Sequence, residues 1–237
     1  RRGLSHRMVR AIVEIYGPKD VIGLRDCIDS ILILINNSYD GEKNPPEIQR
    51  LKGMLREFEE ELVWAHFGIQ VKNVHHLRLG FYTGDIFTEQ PDRDRDVSPI
   101  LDKLRELNPT VISLAFDPEG SGPDTHYKVL QALAEALRIR KKETDLTSLR
   151  VWGYRNVWYR FHPSEANIIV PVSLNAFAAL DTSFENCYLR QVEASFPSYQ
   201  LDGKFSDLTK RIWVEQLKQI QLLLSSHRAA RSIARRC

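Results

Sequence analysis

The chain has 237 residues, 43% of them hydrophobic, and Lys+Arg 33 against Asp+Glu 31 leaves a net charge of +2. This is length for one large or two small domains with a buried core, which excludes wholesale disorder, and the near balance of charge leaves no overall field toward nucleic acid or an anionic membrane. No apolar run approaches the roughly 20 residues that cross a bilayer and no signal-peptide apolar region follows Arg2 and Gly3, while Cys27, Cys187 and Cys237 are odd in number and far apart, so the expectation is a cytoplasmic protein without a disulfide scaffold.

The first element, residues 1–16, places Leu4, Met8, Ala11, Ile12 and Ile15 at helical spacings of three and four. It opens inside a helix without an initiator methionine, as a segment continuing from upstream would. Gly17 and Pro18 stop it, and Asp20 is placed to cap a second helix whose Val21, Leu24, Cys27, Ile28, Ile31, Leu32 and Ile35 form one broad apolar face. Residues 36–46 are a polar connection, and Pro45 and Pro46 stand where a third helix begins, over 47–67, ended by Gly68. Residues 1–44 are accordingly set apart as an N-terminal helical segment.

Beyond Gly68 the period changes. Residues 74–79 (Val-His-His-Leu-Arg-Leu) and 110–116 read as strands, with 92–96 a charged loop between them. Asp96 or Ser98, with Pro99 in the first turn, starts a helix to about residue 107, and another helix covers 125–140. Strands are expected again at 150–154 and 167–172, helices at 173–196 and 207–226, and a basic tail at 227–237. The alternation predicts an α/β domain over 45–226, a mainly parallel sheet covered by helices with a helical C-terminal extension.

Chemistry concentrates at residues 115–128, where a buried strand runs through two glycines, two prolines and several carboxylates into a helix. In an open α/β sheet, ligands bind beyond the carboxyl ends of the strands, which is where this loop falls. Asp117 and Asp124 are the candidate catalytic carboxylates and His126 the candidate metal ligand. As a ligand, His126 would be a neutral imidazole with a carboxylate or carbonyl on its other nitrogen. The alternative is that Asp124 or Thr125 merely caps the helix and His126 is an ordinary polar residue. His75 and His76 would point to opposite faces of their strand. The segment holding Trp152, Tyr154, Arg155, Trp158, Tyr159 and Arg160 mixes aromatics with cations, suited to stacking a sugar ring and pairing a phosphate, and also to single-stranded nucleic acid or to a plain core with solvated arginines.

The order Phe-Gly-Ile at 67–69, Val-His-His-Leu-Arg-Leu at 74–79, Asn-Pro-Thr-Val-Ile-Ser-Leu-Ala-Phe-Asp-Pro at 108–118, Pro-Asp-Thr-His at 123–126 and Trp-Tyr-Arg-Phe-His-Pro at 158–163 resembles the PIG-L/LmbE-like N-acetylglucosaminide deacetylase fold. It is most similar to the C-terminal portion of long glucosamine-6-phosphate deaminase-type proteins. The resemblance implies a zinc-dependent amidohydrolase, whose metal is held by a His and an Asp of a His-Pro-Asp-Asp motif and by the last His of a His-Pro-Asp-His motif. His126 takes the place of that last His, and Pro123 replaces the first, which is associated with stabilising the tetrahedral intermediate. No His-Pro-Asp-Asp occurs in these residues, so the ligand set is incomplete. By the same resemblance, the loop of Tyr82 and Asp85 corresponds to one that borders the sugar pocket, where the two would contact sugar hydroxyls, the alternative being a plain turn; Arg155, Trp158 and Arg160, from the chemistry of their own segment, are the expected substrate-binding residues.

Two functions follow as expectations. In one, the chain is part of a zinc-dependent amino-sugar deacetylase-like domain associated with glucosamine-6-phosphate deaminase. In the other, it is a degenerate domain that binds sugar phosphate or serves assembly. The expected partners are an amino-sugar or sugar-phosphate ligand, an upstream deaminase-type domain and, through an uncovered sheet edge, a second copy, with neither nucleic acid nor membrane.

Overall fold

The computed structural model describes residues 2–39, 42–81, 88–117, 124–155, 160–189, 191–192 and 203–234, with the backbone alone for 226–234. They fall into two compact units, one of Arg1–Gln90 with Glu185–Leu189 and the other of Pro91–Phe184 with Arg190–Cys237.

The first unit is built on three helices, α1 (Arg2–Tyr16), α2 (Val21–Asn37) and α3 (Pro46–His66). Asp20 caps α2 as its position predicts, its carboxylate accepting the Gly23 N–H at 2.8 Å. α3 begins at Pro46, where a missing N–H costs nothing. It ends in a Schellman turn, with Gly68 at φ 81° and N–H bonds from Gly68 to Ala65 O and from Ile69 to Trp64 O, both 2.9 Å. The apolar stripe of α1 meets its partners: Ala11, Ile12, Ile31, Ile48, Leu51 and Met54 form one buried cluster.

Residues 74–79 do not form the expected strand. Arg78 sits at φ 52°, a left-handed conformation that ends any extended run, and its guanidinium holds Glu57 of α3 by two bonds of 2.6 and 2.9 Å. The segment therefore lies along α3 as irregular chain, burying Leu79 and Phe81. His75 and His76 accordingly have no strand faces to divide. The Tyr188 hydroxyl donates to Glu60 Oε1 at 2.8 Å and ties residues 185–189 to this unit.

In the second unit, residues 93–97 are not a loop but a π-helical turn that runs directly into α4 (Ser98–Leu107). Asp92 starts the turn, its side chain accepting the N–H groups of Asp94 and Arg95 at 2.9 Å. The fully buried Asp96 carboxylate accepts the Asp92 N–H at 2.8 Å and the Arg95 guanidinium at 2.9 Å. Strand β1 (Val111–Ala115), helix α5 (Asp124–Arg140) and strand β2 (Arg150–Tyr154) then make a β-α-β unit. Its strands are parallel and in register from Val111 opposite Arg150 to Ala115 opposite Tyr154. α5 packs on both α4 and β1.

Residues 167–172 do not form the expected fourth strand. Ile168, Ile169 and Val170 are exposed, Pro171 offers no N–H to a ladder, and the segment lines a groove beside β2 rather than pairing with it. The architecture is thus mostly helical with a parallel sheet of two strands among the described residues, an α/β pattern with far less sheet than four strand candidates promised.

The C-terminal helices are α6 (Leu174–Cys187) and α7 (Phe205–Ala234). Within the second unit they meet through Phe177 and Trp213, Phe184 and Phe205, and a 2.6 Å bond from Lys210 to Asp181. Helical backbone continues through 227–234, part of the expected tail, where Arg228, Ala229, Ala230 and Arg231 are good helix formers.

Candidate functional site

β1 carries the site to the carboxyl end of the sheet. Past its last residue the Phe116 N–H still donates to Tyr154 O at 2.6 Å, so the parallel ladder fixes the backbone immediately before Asp117. Asp117 is fully buried. Residues 118–123, with Pro123, lie outside the described residues, and α5 resumes the chain at Asp124. Within the first turn of the helix, His126 returns to the strand end: its Nδ1 is 2.8 Å from Asp117 Oδ2.

With Nδ1 on a carboxylate, the imidazole is held in one orientation and carries its proton on Nδ1 when neutral. Nε2 is left as the outward nitrogen on a side chain that remains 34% exposed. Such a group accepts or donates a proton, hydrogen bonds a ligand, or ligates a metal through Nε2. Asp117, sealed behind the ring, is placed to orient it. The Tyr154 phenol is nearby: desolvation raises its pKa above the ordinary 10.0, and the Asp117 charge raises it further.

Asp124, the other candidate carboxylate, forms a 2.6 Å ion pair with the buried Lys128 one turn along α5 and is itself well exposed. Its charge stabilises an ammonium that α5 has drawn out of water.

Of the other expected site residues, the Arg155 guanidinium lies 4.6 Å above the Phe161 ring. Its Nε is buried with no hydrogen-bond partner among the described residues. Arg160 is committed to Glu215 of α7 at 2.8 Å. Tyr82, Asp85 and Trp158 lie outside the described residues. His76 Nε2 approaches Glu61 at 3.5 Å, and His162 is bound up in its own turn, with Nδ1 2.7 Å from Ser164 Oγ. The structure thus joins Asp117 with His126, while the two described arginines have other neighbours.

Beside β2 lies a groove of about 600 Å³ lined by Phe116, Trp152, Tyr154, Phe161 and Ile168, with Ser113, Asn167 and the carboxylate of Glu165 as polar members. Gly153 makes it possible. A Cβ there would stand 2.7 Å from Phe116 Cβ, so only glycine lets β1 and β2 approach as they do. Sequence reasoning passed over Gly153, although a lone glycine among strand aromatics marks a close approach.

No group of three His, Cys, Asp or Glu placed to hold a metal occurs among the described residues. His126 has the anchored ring that a zinc ligand requires, but these residues alone do not compose a three-ligand site.

Compared with curated proteins, the chain is 26% identical over 165 residues to a glucosamine-6-phosphate deaminase-like protein of Bacteroides thetaiotaomicron, covering 68% of this chain and 24% of that protein. The chain therefore spans about a quarter of the length of the curated relative it matches. No family model matches the chain, and no solved structure matches it. Among the described residues no helix is long and apolar enough to cross a membrane.

Proposed function

We propose that this chain handles a phosphorylated amino sugar, as an LmbE-like domain working beside a glucosamine-6-phosphate deaminase-type domain. The observation that carries the proposal is the Asp117–His126 pair at the carboxyl end of β1. An imidazole locked through Nδ1 presents Nε2 to the amino or acetamido group of a sugar. A guanidinium with a buried, unbonded Nε beside an aromatic groove suits a phosphate on a pyranose ring, which places more weight on Arg155 than on the ion-paired Arg160. The name of the Bacteroides relative agrees in substrate class.

A second proposal, zinc-dependent N-deacetylation, is favoured by one feature: a carboxylate on Nδ1 is what a histidine ligating through Nε2 usually has. Water would add to the acetyl carbonyl and the C–N bond would break, giving acetate and the free amine. His126 would be one ligand, and the remaining donors would come from outside the described residues.

Calorimetric titration with glucosamine 6-phosphate and N-acetylglucosamine 6-phosphate, with and without zinc, tests both, together with an acetate assay. Saturable binding weakened by Arg155→Ala and by His126→Ala is expected. Acetate release that requires zinc and is lost in His126→Ala would establish the hydrolase, whereas binding without release leaves a sugar-phosphate-binding domain. If neither sugar binds, both proposals fall.

A further inference from the structure

We propose that α2 is a self-association surface, through which two copies of this chain pair with their α2 helices antiparallel. The inner side of α2, with Leu24, Cys27, Ile28, Ile31 and Leu34, belongs to the three-helix core. Its outer side is not that of an ordinary surface helix. Val21, Ile22, Leu32 and Ile33 are 67%, 71%, 50% and 62% exposed, where a polar face would normally meet water.

Charge complementarity identifies the occupant as a second copy. Between the two aliphatic ends of this face stand the exposed Arg25, Asp26 and Asp29; Arg25 and Asp29, one turn apart, lie at its middle and are engaged in no ion pair among the described residues, while Asp26 stands at its margin. A twofold axis beside the middle of the helix sets Arg25 of each copy against Asp29 of the other. The same pairing puts Val21 against Ile33 and Ile22 against Leu32. Charge meets opposite charge at the centre, and aliphatic side chains meet at both ends, as an isologous interface demands. The register is also specified against its neighbours, because sliding by one turn brings Asp29 onto Asp29 or Arg25 onto Arg25. A helix of 17 residues is only about 25 Å long, so an interface of this element alone sits at the small end of specific contacts, the class of weak and transient associations. The expected uncovered sheet edge is not needed for this association, which is independent of the sugar-phosphate proposal.

Sedimentation velocity of the intact chain over about 1–100 µM tests the pairing. Concentration-dependent dimers are expected, weakened about tenfold or more by Arg25→Glu and by Asp29→Arg, since each substitution turns two attractive pairs into two repulsive ones. The double variant R25E/D29R restores the dimer by exchanging the charges. Both positions of change are solvent-facing, and far-UV circular dichroism checks that the fold is kept. A monomer throughout that range overturns the proposal. So does a dimer indifferent to both single substitutions and to Ile33→Glu, which would belong to another surface, or a failure of the double variant to recover association.

Discussion

Gly153→Ala offers a test in which the sign of the effect decides. Without a steric conflict the substitution should stabilise the protein: glycine inside a strand costs roughly 0.5–1 kcal/mol relative to alanine, and alanine narrows the unfolded ensemble. Gly153 does not have a positive φ, so its backbone would tolerate a side chain. The added Cβ, however, would stand 2.7 Å from Phe116 Cβ and 2.9 Å from Phe116 Cγ, about 1 Å inside an ordinary carbon contact. Rotation of the Phe116 ring relieves the second contact but not the first, because Cβ moves only with the backbone. That backbone is held by the 2.6 Å bond from Phe116 N to Tyr154 O. The two strands must part or slide, at the roughly 1–3 kcal/mol typical of overpacking, which outweighs the intrinsic gain. Urea denaturation followed by tryptophan fluorescence, with Trp152 adjacent, should show a lower midpoint for Gly153→Ala. In a Phe116→Gly background the same substitution should be neutral or stabilising, whereas Phe116→Ala, which keeps the offending Cβ, should not rescue it. A midpoint for Gly153→Ala at or above the parent's would refute the close approach of β1 and β2.

Further expectations concern the two units separately. Hydrogen bonds from Arg105 and Arg140 hold Glu143 at about 2, below its ordinary 4.5, so its contribution is complete above pH 4.5 and is lost as pH falls toward 2. The stability difference between the parent and Glu143→Gln should therefore close over that window, and shrink in high salt because the group is at the surface. Asp20→Ala removes the acceptor for the Gly23 N–H and should cost about 1 kcal/mol in a denaturation curve, with Asp20→Asn close to the parent. Burial, and then the bond to Glu60, push the Tyr188 phenol well above the ordinary 10.0, so alkaline spectrophotometric titration of Tyr188→Phe should lack one late-ionising tyrosine. The same variant should be about 1 kcal/mol less stable, and an unchanged late phase would count against the contact.

Much of the chain was legible wherever local rules and tertiary packing agree. Asp20, Pro46, Gly68 and Pro99 mark helix ends in the sequence and do so in the fold, and residues 111–115 and 150–154 are strands by composition and by pairing. The misreadings share a cause, since a strand exists only if something pairs with it. Residues 74–79 have strand composition, but the grip of Glu57 on Arg78 and the left-handed turn of Arg78 were invisible to periodicity. Residues 167–172 are apolar enough for a strand, yet no ladder reaches them among the described residues. At the site, the need of His126 for a carboxylate could be stated from chemistry alone. That Asp117 supplies it could not, because the two meet only after the chain passes from strand to helix and turns back. Asp124 was a candidate for the same reason as Asp117, a carboxylate in the right loop, and burial and partner separate them in the fold: Asp117 is sealed against His126, whereas Asp124 is exposed beside Lys128.

The π turn ahead of α4 has a consequence for how this segment tolerates change in length. A π turn spends about one residue more than an α turn to advance the chain once around. A one-residue deletion within 93–97 can therefore be absorbed by tightening the turn to α, and Ile100, Leu101 and Leu104 keep their buried side. What would be surrendered is the sealed seat of Asp96. The same deletion within α4 has no slack to draw on and would swing every following side chain by about 100°, carrying the apolar stripe off α5. Natural length variants of this region should thus cluster in the Asp-Arg-Asp-Arg-Asp run rather than in the helix it introduces, and an engineered insertion should be directed away from both.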